Sequence, residues 1–363
     1  KQGNGGERST GIAAWYGFGQ RGGATEPRRL ARGLSPMRDA TQNPVLHAAT
    51  GGAVARIARE GGHWRARLSM HDRGVQCLAA DPRDRETLYA GTRGSGVWKS
   101  RDGGARWTRL AMSQPDVFSL AVSAADGALY AGCEPSHLFL SRDGGTTWRE
   151  LDALRALPSA PDWSFPPRPW TSHVRWIAPC PHEAGRLLVG IELGGLMLSE
   201  DGGETWADHR PGAQRDVHCL AWHPSTPDRA YEAGGGGAAQ SHDGGETWSP
   251  ADEGRDRDYC WGLAVHPDDP DTWFISAAPG PRAAHDPDRN AQAVIYRRRG
   301  GGPWQAVCDG LTSLPYAMTY GADRLFAGLG DGRILVSDDD GDRWQELDLA
   351  GDRLDRVQAL VAV

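Results

Sequence analysis

Several signatures of catalytic or membrane function are missing from the sequence. None of the six cysteines belongs to a C-x-x-C pair, and no phosphate loop, nucleophile elbow or metal-ligand cluster can be read from local spacing. Apolar runs of the roughly 18 residues that a membrane-spanning helix needs are also missing. We therefore expect no cofactor, no metal ion, no disulfide framework and no membrane association.

Acidic residues outnumber basic ones outside the first 43 residues. The net charge is −7, and residues 1–43 are themselves basic, so the rest of the chain is strongly acidic. An acidic surface repels phosphate backbones, so no nucleic-acid partner is expected. Residues 1–43 are rich in Gly and Arg and show no strand periodicity, which is typical of a disordered or artefactual extension. Because no signal-peptide core is found, the expected location is the cytoplasm of a bacterium.

One phrase, S-x-D-x-G-x-x-W, recurs through the chain, and we call it the box. It occurs as "SRDGGARW" (Ser100–Trp107), "SRDGGTTW" (Ser141–Trp148), "SEDGGETW" (Ser199–Trp206), "SHDGGETW" (Ser241–Trp248) and "SDDDGDRW" (Ser337–Trp344). Two degraded copies end at Trp64 and Trp304. The closing Trp residues are 40 to 43 residues apart, except for two intervals of 58 and 56 residues. A fixed period of this length indicates a repeat architecture.

Each period contains four short strand-like segments separated by Gly-rich turns, the pattern of one propeller blade. Residues 45–67 look like three later strands without a first one, and residues 357–363 look like a first strand without a blade. Joined, they make a complete blade and remove the open sheet edges. We therefore predict an all-β, seven-bladed β-propeller of four-stranded blades over residues 44–363, closed by pairing the C-terminal strand with the N-terminal strands.

The repeated box resembles the Asp-box, or BNR, repeat of sialidase-like propellers within the wider WD40-YVTN-BNR-like superfamily, over roughly residues 44–363. Sialidases, xyloglucanases, sortilin-type receptors and seven-bladed photosystem assembly factors share this repeat, so it says little about chemistry. Since Asp and Ser side chains can accept hydrogen bonds in a turn, the box acids are expected to be structural. They are Asp102, Asp143, Asp201, Asp243 and Asp339.

The strand order predicts that functional residues lie on the face of the ring opposite the boxes. If the boxes join third to fourth strands, both long inserts, Leu151–His173 and Ala278–Ala293, lie on the other face. Long loops on a rigid scaffold are where binding sites usually lie. We predict ligand contacts there from the first strands and neighbouring loops. The predicted residues are Arg93, His173, Arg175, His218, Tyr259, Trp261, Arg282, His285 and Tyr316.

The leading hypothesis is a monomeric scaffold that binds a small molecule such as a carbohydrate, or a protein, on the insert-bearing face. The alternative is a glycoside hydrolase or polysaccharide lyase at the central channel mouth, with catalytic candidates Glu134, Glu192, Glu232, His218 and Tyr316. The sequence leaves open whether the protein is an enzyme. Exo-sialidase activity is not expected, because the Arg-Ile-Pro motif that sialidases carry is missing and they have six blades.

Overall fold

The computed structural model describes residues 43–167, 170–286 and 288–363, so the prediction for residues 1–43 lies, except at its last position, outside the described residues. The described chain forms seven β-sheets arranged as the blades of a ring. The first strands in chain order are β1 (Leu46–Ala49), β2 (Val54–Glu60), β3 (His63–Ser69), β4 (Val75–Asp81), β5 (Asp84–Thr92), β6 (Gly96–Ser100), β7 (Thr108–Arg109), β8 (Val117–Val122), β9 (Leu129–Cys133), β10 (Leu138–Ser141), β11 (Arg149–Glu150), β12 (Val174–Pro179), β13 (Leu187–Ile191) and β14 (Gly195–Ser199).

The second half of the chain continues the same pattern. Its strands are β15 (Val217–Trp222), β16 (Ala230–Gly234), β17 (Gly237–Ser241), β18 (Ser249–Pro250), β19 (Tyr259–Val265), β20 (Trp273–Ala278), β21 (Ala293–Arg298), β22 (Gln305–Leu311), β23 (Pro315–Gly321), β24 (Arg324–Leu329), β25 (Ile334–Ser337), β26 (Gln345–Glu346), β27 (Leu349–Gly351) and β28 (Ala359–Ala362). The inserts add 3-10 helices at Asp152–Ala156 and Ala160–Asp162 and a short helix α1 at Pro281–His285. The prediction of an all-β, seven-bladed propeller is confirmed.

The blades follow the chain in order. Blade 1 is β4–β7, blade 2 is β8–β11, blade 3 is β12–β14, blade 4 is β15–β18, blade 5 is β19–β22 and blade 6 is β23–β26. Blade 3 has an isolated bridge between Leu198 and Ala207 in place of a regular fourth strand. Within each of these six blades neighbouring strands are antiparallel, so alternate turns lie on opposite faces of the ring.

Blade 7 closes the ring as the sequence predicts. The C-terminal strand β28 pairs antiparallel with β1, with Ala362 opposite Leu46, and β1 continues into β2 and β3. Strand β27 then adds a fifth strand, parallel to β3, that the four-strand period did not indicate. Apolar layers between neighbouring blades form the core, and pairing the two chain ends leaves no open seam in the ring.

The box turns show why Ser and Asp recur once per blade. In blade 2, Ser141 Oγ donates to Asp143 Oδ1 at 2.8 Å and accepts the Gly145 N–H at 2.8 Å. Asp143 Oδ1 also accepts the Thr147 N–H at 2.9 Å, and these hydrogen bonds lower the pKa of Asp143 to about 2. The other four boxes repeat the Ser–Asp and Ser–Gly hydrogen bonds.

The paired glycines serve the same turn. Gly144 and Gly145 both have positive φ, at 66° and 91°, a region that side chains with a Cβ rarely adopt. The turn also contacts the first-to-second turn of its own blade, as in the Gly244 N–H to Asp228 O hydrogen bond at 2.9 Å in blade 4. The boxes and these Pro-rich turns therefore share one face of the ring.

Replacing Asp143 by Asn is expected to lower the unfolding temperature. The amide keeps one acceptor oxygen but turns an NH2 group toward the Thr147 N–H or hydroxyl, which now need an acceptor. Differential scanning calorimetry measures the change, and Asp152→Asn, at an exposed position on the other face, is the control. An unfolding temperature equal to that of the parent protein would contradict a structural role for the box acid.

Among the described residues, no helix has the length and apolar character needed to cross a bilayer.

Candidate functional site

A cavity of about 720 Å³ opens on the face opposite the boxes, at the mouth of the central channel, and we call it the mouth cavity. Both inserts contribute to it. Its lining consists of Gln76, Arg93, Phe118, Phe165, Pro166, Pro167, His173, Arg175, Glu192, Leu193, Asp216, Tyr259, Trp261, Pro281, His285, Tyr316, Arg356 and Gln358. A volume of this size is typical of small-molecule sites. A narrower space of about 270 Å³ continues below it along the channel.

β-Bulges aim the ring of side chains at this mouth. The antiparallel register slips where the first strand of each of blades 1 to 6 begins. The residues at these bulges are Gln76, Phe118, Arg175, His218, Trp261 and Tyr316. A bulge leaves one residue unpaired and changes the direction of its side chain, so it interrupts the apolar alternation of the strand. The unusual polar and aromatic residues at these positions therefore have a common backbone cause.

A buried hydrogen bond between His173 and Glu192 forms one wall of the mouth cavity. His173 Nε2 donates to Glu192 Oε2 at 2.7 Å, and the Arg175 Nε lies 3.6 Å from the same oxygen. The His173 and Glu192 side chains are almost fully buried. Burial on its own would raise the pKa of Glu192, but the hydrogen bond from His173 and the charge of Arg175 outweigh it and lower that pKa to about 2. Glu192 is therefore ionised at neutral pH.

A chain of hydrogen bonds crosses the opposite wall. Tyr316 Oη donates to the Ala284 carbonyl at 3.2 Å, so His285 Nδ1 is the donor to Tyr316 Oη at 2.7 Å. The other ring nitrogen, His285 Nε2, then accepts from the Tyr259 hydroxyl at 2.8 Å. Burial lowers the pKa of His285 to about 4, so the ring is neutral at pH 7, in agreement with this pattern of donors. The chain ties the second insert to blades 5 and 6.

Trp261 and Tyr259 are structural parts of this wall. Their side chains are buried, and His218 packs 4.3 Å from the Trp261 ring centre. The Arg175 guanidinium lies over the same indole at 4.6 Å, a cation–π contact. The rings that remain half-buried at the cavity are Phe118, Phe165 and Tyr316. These three, with Arg175, present the surface that a ligand can contact.

The mouth cavity brings together most of the residues predicted to bind a ligand. Those in its lining are Arg93, His173, Arg175, Tyr259, Trp261, His285 and Tyr316, together with the catalytic candidate Glu192. Their placement on one face, beside both inserts, agrees with the predicted strand order. The functional role of each remains a prediction.

Four predicted residues lie outside the lining. Glu232 is fully buried, because it occupies a position opposite Leu220 and Ala239 in the apolar layer between blades 3 and 4. His218 is buried behind Trp261, and Glu134 lies behind His173, with 4.0 Å between Glu134 Oε2 and His173 Nδ1. Arg282 is exposed on α1 and is not part of the lining. The placement of these four at the mouth is corrected accordingly.

Several lining residues, among them Phe165, Leu193 and Pro281, were not among those predicted from the sequence to bind a ligand. Phe165 lies in the first insert and packs edge-on against His173, with 5.0 Å between ring centroids. Leu193 follows β13 at positive φ and is exposed, and Pro281 begins α1. The apolar residues of the insert were the sequence signal for Phe165. The repeat pattern does not extend into an insert, so it could not predict which way this side chain points. The sequence therefore predicted that this loop contributes to the site, but it did not predict the position of the Phe165 side chain.

No protein-family model matches the chain, and no curated protein matches its sequence. Solved structures do resemble it in fold. A GH74 enzyme from Niastella koreensis has a TM-score of 0.63 at 17% identity over 88% of this chain, and an ancestral GH74 enzyme has a TM-score of 0.58 at 17% identity over 83%. The YCF48 protein from Cyanidioschyzon merolae has a TM-score of 0.50 at 13% identity, covering 75% of this chain and 84% of its own.

The chain spans 53% and 40% of the lengths of these two GH74 structures. Because all three identities are low, the similarity shows a shared propeller fold and assigns no activity. The class that the fold and the mouth cavity define is thus a seven-bladed propeller with a small-molecule-sized cavity on its insert-bearing face.

Proposed function

We propose that this propeller is a non-catalytic scaffold that binds a carbohydrate in the mouth cavity. The observation that carries the proposal is the arrangement of half-buried Phe118, Phe165 and Tyr316 around Arg175 in a space of about 720 Å³. Aromatic rings contact the apolar faces of sugars, and convergent charged groups bind their hydroxyls. The ring scaffold and the bulges hold Phe118, Arg175 and Tyr316 on strands, which favours a preformed site.

The titratable groups of the mouth cavity favour binding over catalysis. A glycosidase uses one carboxyl group as a general acid, which must be protonated near neutral pH. Glu192 has its pKa lowered to about 2 and does not meet this need. Burial raises the pKa of Glu232 to about 8, which would suit an acid, but that side chain lies in the apolar layer between blades. Glu232 has the raised pKa that a general acid needs, whereas Glu192 has the position in the cavity lining, so neither residue meets both requirements.

The lyase alternative has no stronger support. A lyase needs a base beside a neutralised carboxylate. His285 uses both ring nitrogens in hydrogen bonds to Tyr259 and Tyr316, and burial raises the pKa of both tyrosines above the ordinary value. None of these three groups is free to accept a proton at neutral pH. The similarity to GH74 enzymes concerns the fold, so hydrolysis remains the alternative that a turnover assay addresses.

The proposal is tested with an array of immobilised glycans, followed by calorimetry with the best-binding soluble oligosaccharide. We expect Arg175→Gln to weaken binding by about tenfold or more, since a hydrogen bond from a charged donor contributes about 1.5–3 kcal/mol. Phe165→Ala is expected to weaken binding as well, because it removes an aromatic surface that a sugar can contact. Arg142→Gln, an exposed arginine that pairs with Asp126 outside the mouth cavity, is the matched control.

Three results would count against this function. Binding that survives both substitutions would place the ligand elsewhere. Release of new reducing ends or unsaturated products from the bound oligosaccharide would favour the hydrolase or lyase alternative. A glycan array without any binding would overturn the carbohydrate assignment itself.

A further inference from the structure

We propose that Glu192, Asp216 and His218 form a binding site for a divalent first-row transition-metal ion, Zn²⁺ or Mn²⁺, at the floor of the mouth cavity. Glu192 follows β13, Asp216 precedes β15, and His218 lies within β15. One potential ligand atom from each of the three lies within 4.8 Å of the others. Two carboxylate oxygens and one imidazole nitrogen are a donor set that both ions accept.

The hydrogen bonding of His218 prepares it as a metal ligand. His218 Nδ1 lies 2.6 Å from the Cys260 carbonyl oxygen, which can only accept, so Nδ1 carries a proton. In the neutral ring, Nε2 then has a lone pair. Fixing the tautomer through a backbone carbonyl is the usual way in which proteins orient a metal-binding histidine. The His218 side chain is fully buried, and Nε2 has no hydrogen-bond partner among the described residues.

The Nε2 atom of His218 faces a carboxylate oxygen, which can only accept when it is ionised. Asp216 Oδ1 lies 3.4 Å from His218 Nε2, and this buried oxygen also has no hydrogen-bond partner within the described part of the chain. Two acceptors that face each other in a buried space repel unless a cation lies between them. Ligands bound at about 2.1 Å with tetrahedral angles are about 3.4 Å apart, the observed spacing.

Glu192 completes the donor set. Its Oε2 accepts from His173 and lies near Arg175, which leaves Oε1 for a metal ion. The Arg175 guanidinium offsets one of the two carboxylate charges, so the second one remains for the cation. His173 supports Glu192 in the way that second-shell partners support ligating carboxylates. A small movement of the Glu192 side chain brings it within bonding distance, because the three atoms already lie within 4.8 Å.

The position of the cluster indicates what the ion would do. Glu192 and Asp216 line the mouth cavity, and His218 lies behind them. The remaining coordination positions therefore face the cavity, where a water molecule or a hydroxyl or carboxylate group of a ligand can bind. This inference does not depend on carbohydrate binding, since it concerns the affinity of the protein for the ion alone.

The test is isothermal titration calorimetry of the full chain, first treated with a chelator and then dialysed, with ZnCl2 and separately with MnCl2. We expect one equivalent to bind and the unfolding temperature to rise with ion concentration. Asp216→Asn is expected to weaken binding by more than tenfold. Asp288→Asn, an exposed aspartate of the second insert on the same face, is the matched control and should bind as the parent protein does.

Co²⁺ provides a second readout on the parent protein. Visible d–d absorption upon Co²⁺ binding, lost when Zn²⁺ displaces the Co²⁺, would report nitrogen–oxygen coordination independently of any variant. If neither Zn²⁺ nor Mn²⁺ binds, or if Asp216→Asn binds as tightly as the parent, the proposal is overturned. The contact between His218 and Asp216 would then be that of an imidazolium donating to a carboxylate.

Discussion

Replacing Glu232 by Gln is expected to stabilise the protein increasingly as the pH rises. The Glu232 carboxyl is fully buried between blades 3 and 4, where one oxygen accepts the Gln214 N–H at 2.9 Å and the other has no hydrogen-bond partner among the described residues. Burial raises the pKa of this group from 4.5 to about 8. Ionisation is therefore easy in the unfolded chain and costly in the folded one.

The direction of the pH dependence follows from proton counts. Between pH 4.5 and 8 the folded state holds a proton on Glu232 that the unfolded state has lost, so stability falls as the pH rises. At high pH, the raised pKa of Glu232 lowers the free energy of unfolding by about 5 kcal/mol, because each pKa unit corresponds to about 1.4 kcal/mol. Between pH 5 and pH 9 the free energy of unfolding of the parent should fall by about 4 kcal/mol relative to Glu232→Gln.

Urea denaturation at pH 5, 7 and 9 measures this difference, and other titrating groups cancel because both proteins contain them. The matched control is Glu86→Gln, at an exposed position, which should show the same pH dependence as the parent. Parallel curves for the parent and Glu232→Gln would contradict the protonated state inferred for the buried carboxyl. If the buried Glu232 carboxyl destabilises the fold at high pH, a functional role would explain why it is present. The measurement therefore also bears on the catalytic alternative.

The sequence predicted the architecture because the box is tied to a backbone turn. Ser141 and Asp143 satisfy N–H groups of the turn in which they lie, so the same chemistry recurs wherever the turn recurs. Counting the boxes therefore counted the blades, and the strand order within a period assigned the faces. Pairing of β28 with β1 followed from the incomplete segments at the two chain ends.

The mouth cavity was only partly predictable because its residues meet across blades. The sequence placed Arg175 and Tyr316 on first strands at the mouth, but the bulges that turn these side chains toward it have no sequence signature. Glu232 was a catalytic candidate for the channel mouth, but it lies within β16, whose successive residues face the apolar layers on the two sides of the blade.

The grouping of Glu192 with Asp216 and His218 could not be predicted from the sequence, because these residues come from different blades. Glu192 directly follows β13 of blade 3. Asp216 directly precedes β15, the first strand of blade 4, and His218 lies within it. Their separation along the chain matches no metal-ligand spacing, because neighbouring blades supply the contacts. Metal or catalytic constellations in propellers are set by blade-to-blade geometry, which local motifs do not encode.

Replacing Glu192 by Gln is expected to lower the free energy of unfolding by about 3 kcal/mol at pH 7. The pKa of Glu192 falls from 4.5 in the unfolded chain to about 2 in the folded protein, and each unit corresponds to about 1.4 kcal/mol. Because the folded-state pKa is depressed, this stabilisation is present above pH 4.5 and is lost as the pH falls through 2. The difference between the parent and Glu192→Gln should therefore shrink toward pH 3.

The partner of Glu192 is tested by a double-mutant cycle with His173→Phe, measured by urea denaturation in chelator-containing buffer. Phenylalanine keeps the ring that packs 4.2 Å from Phe118 and removes the donor to Glu192. His173→Phe alone leaves a buried carboxylate without its hydrogen bond and should be strongly destabilising, whereas the double variant should recover about 2 kcal/mol of the summed losses. Additive losses would show that Glu192 owes its low pKa to Arg175, and the wall of the mouth cavity would then depend on the arginine alone.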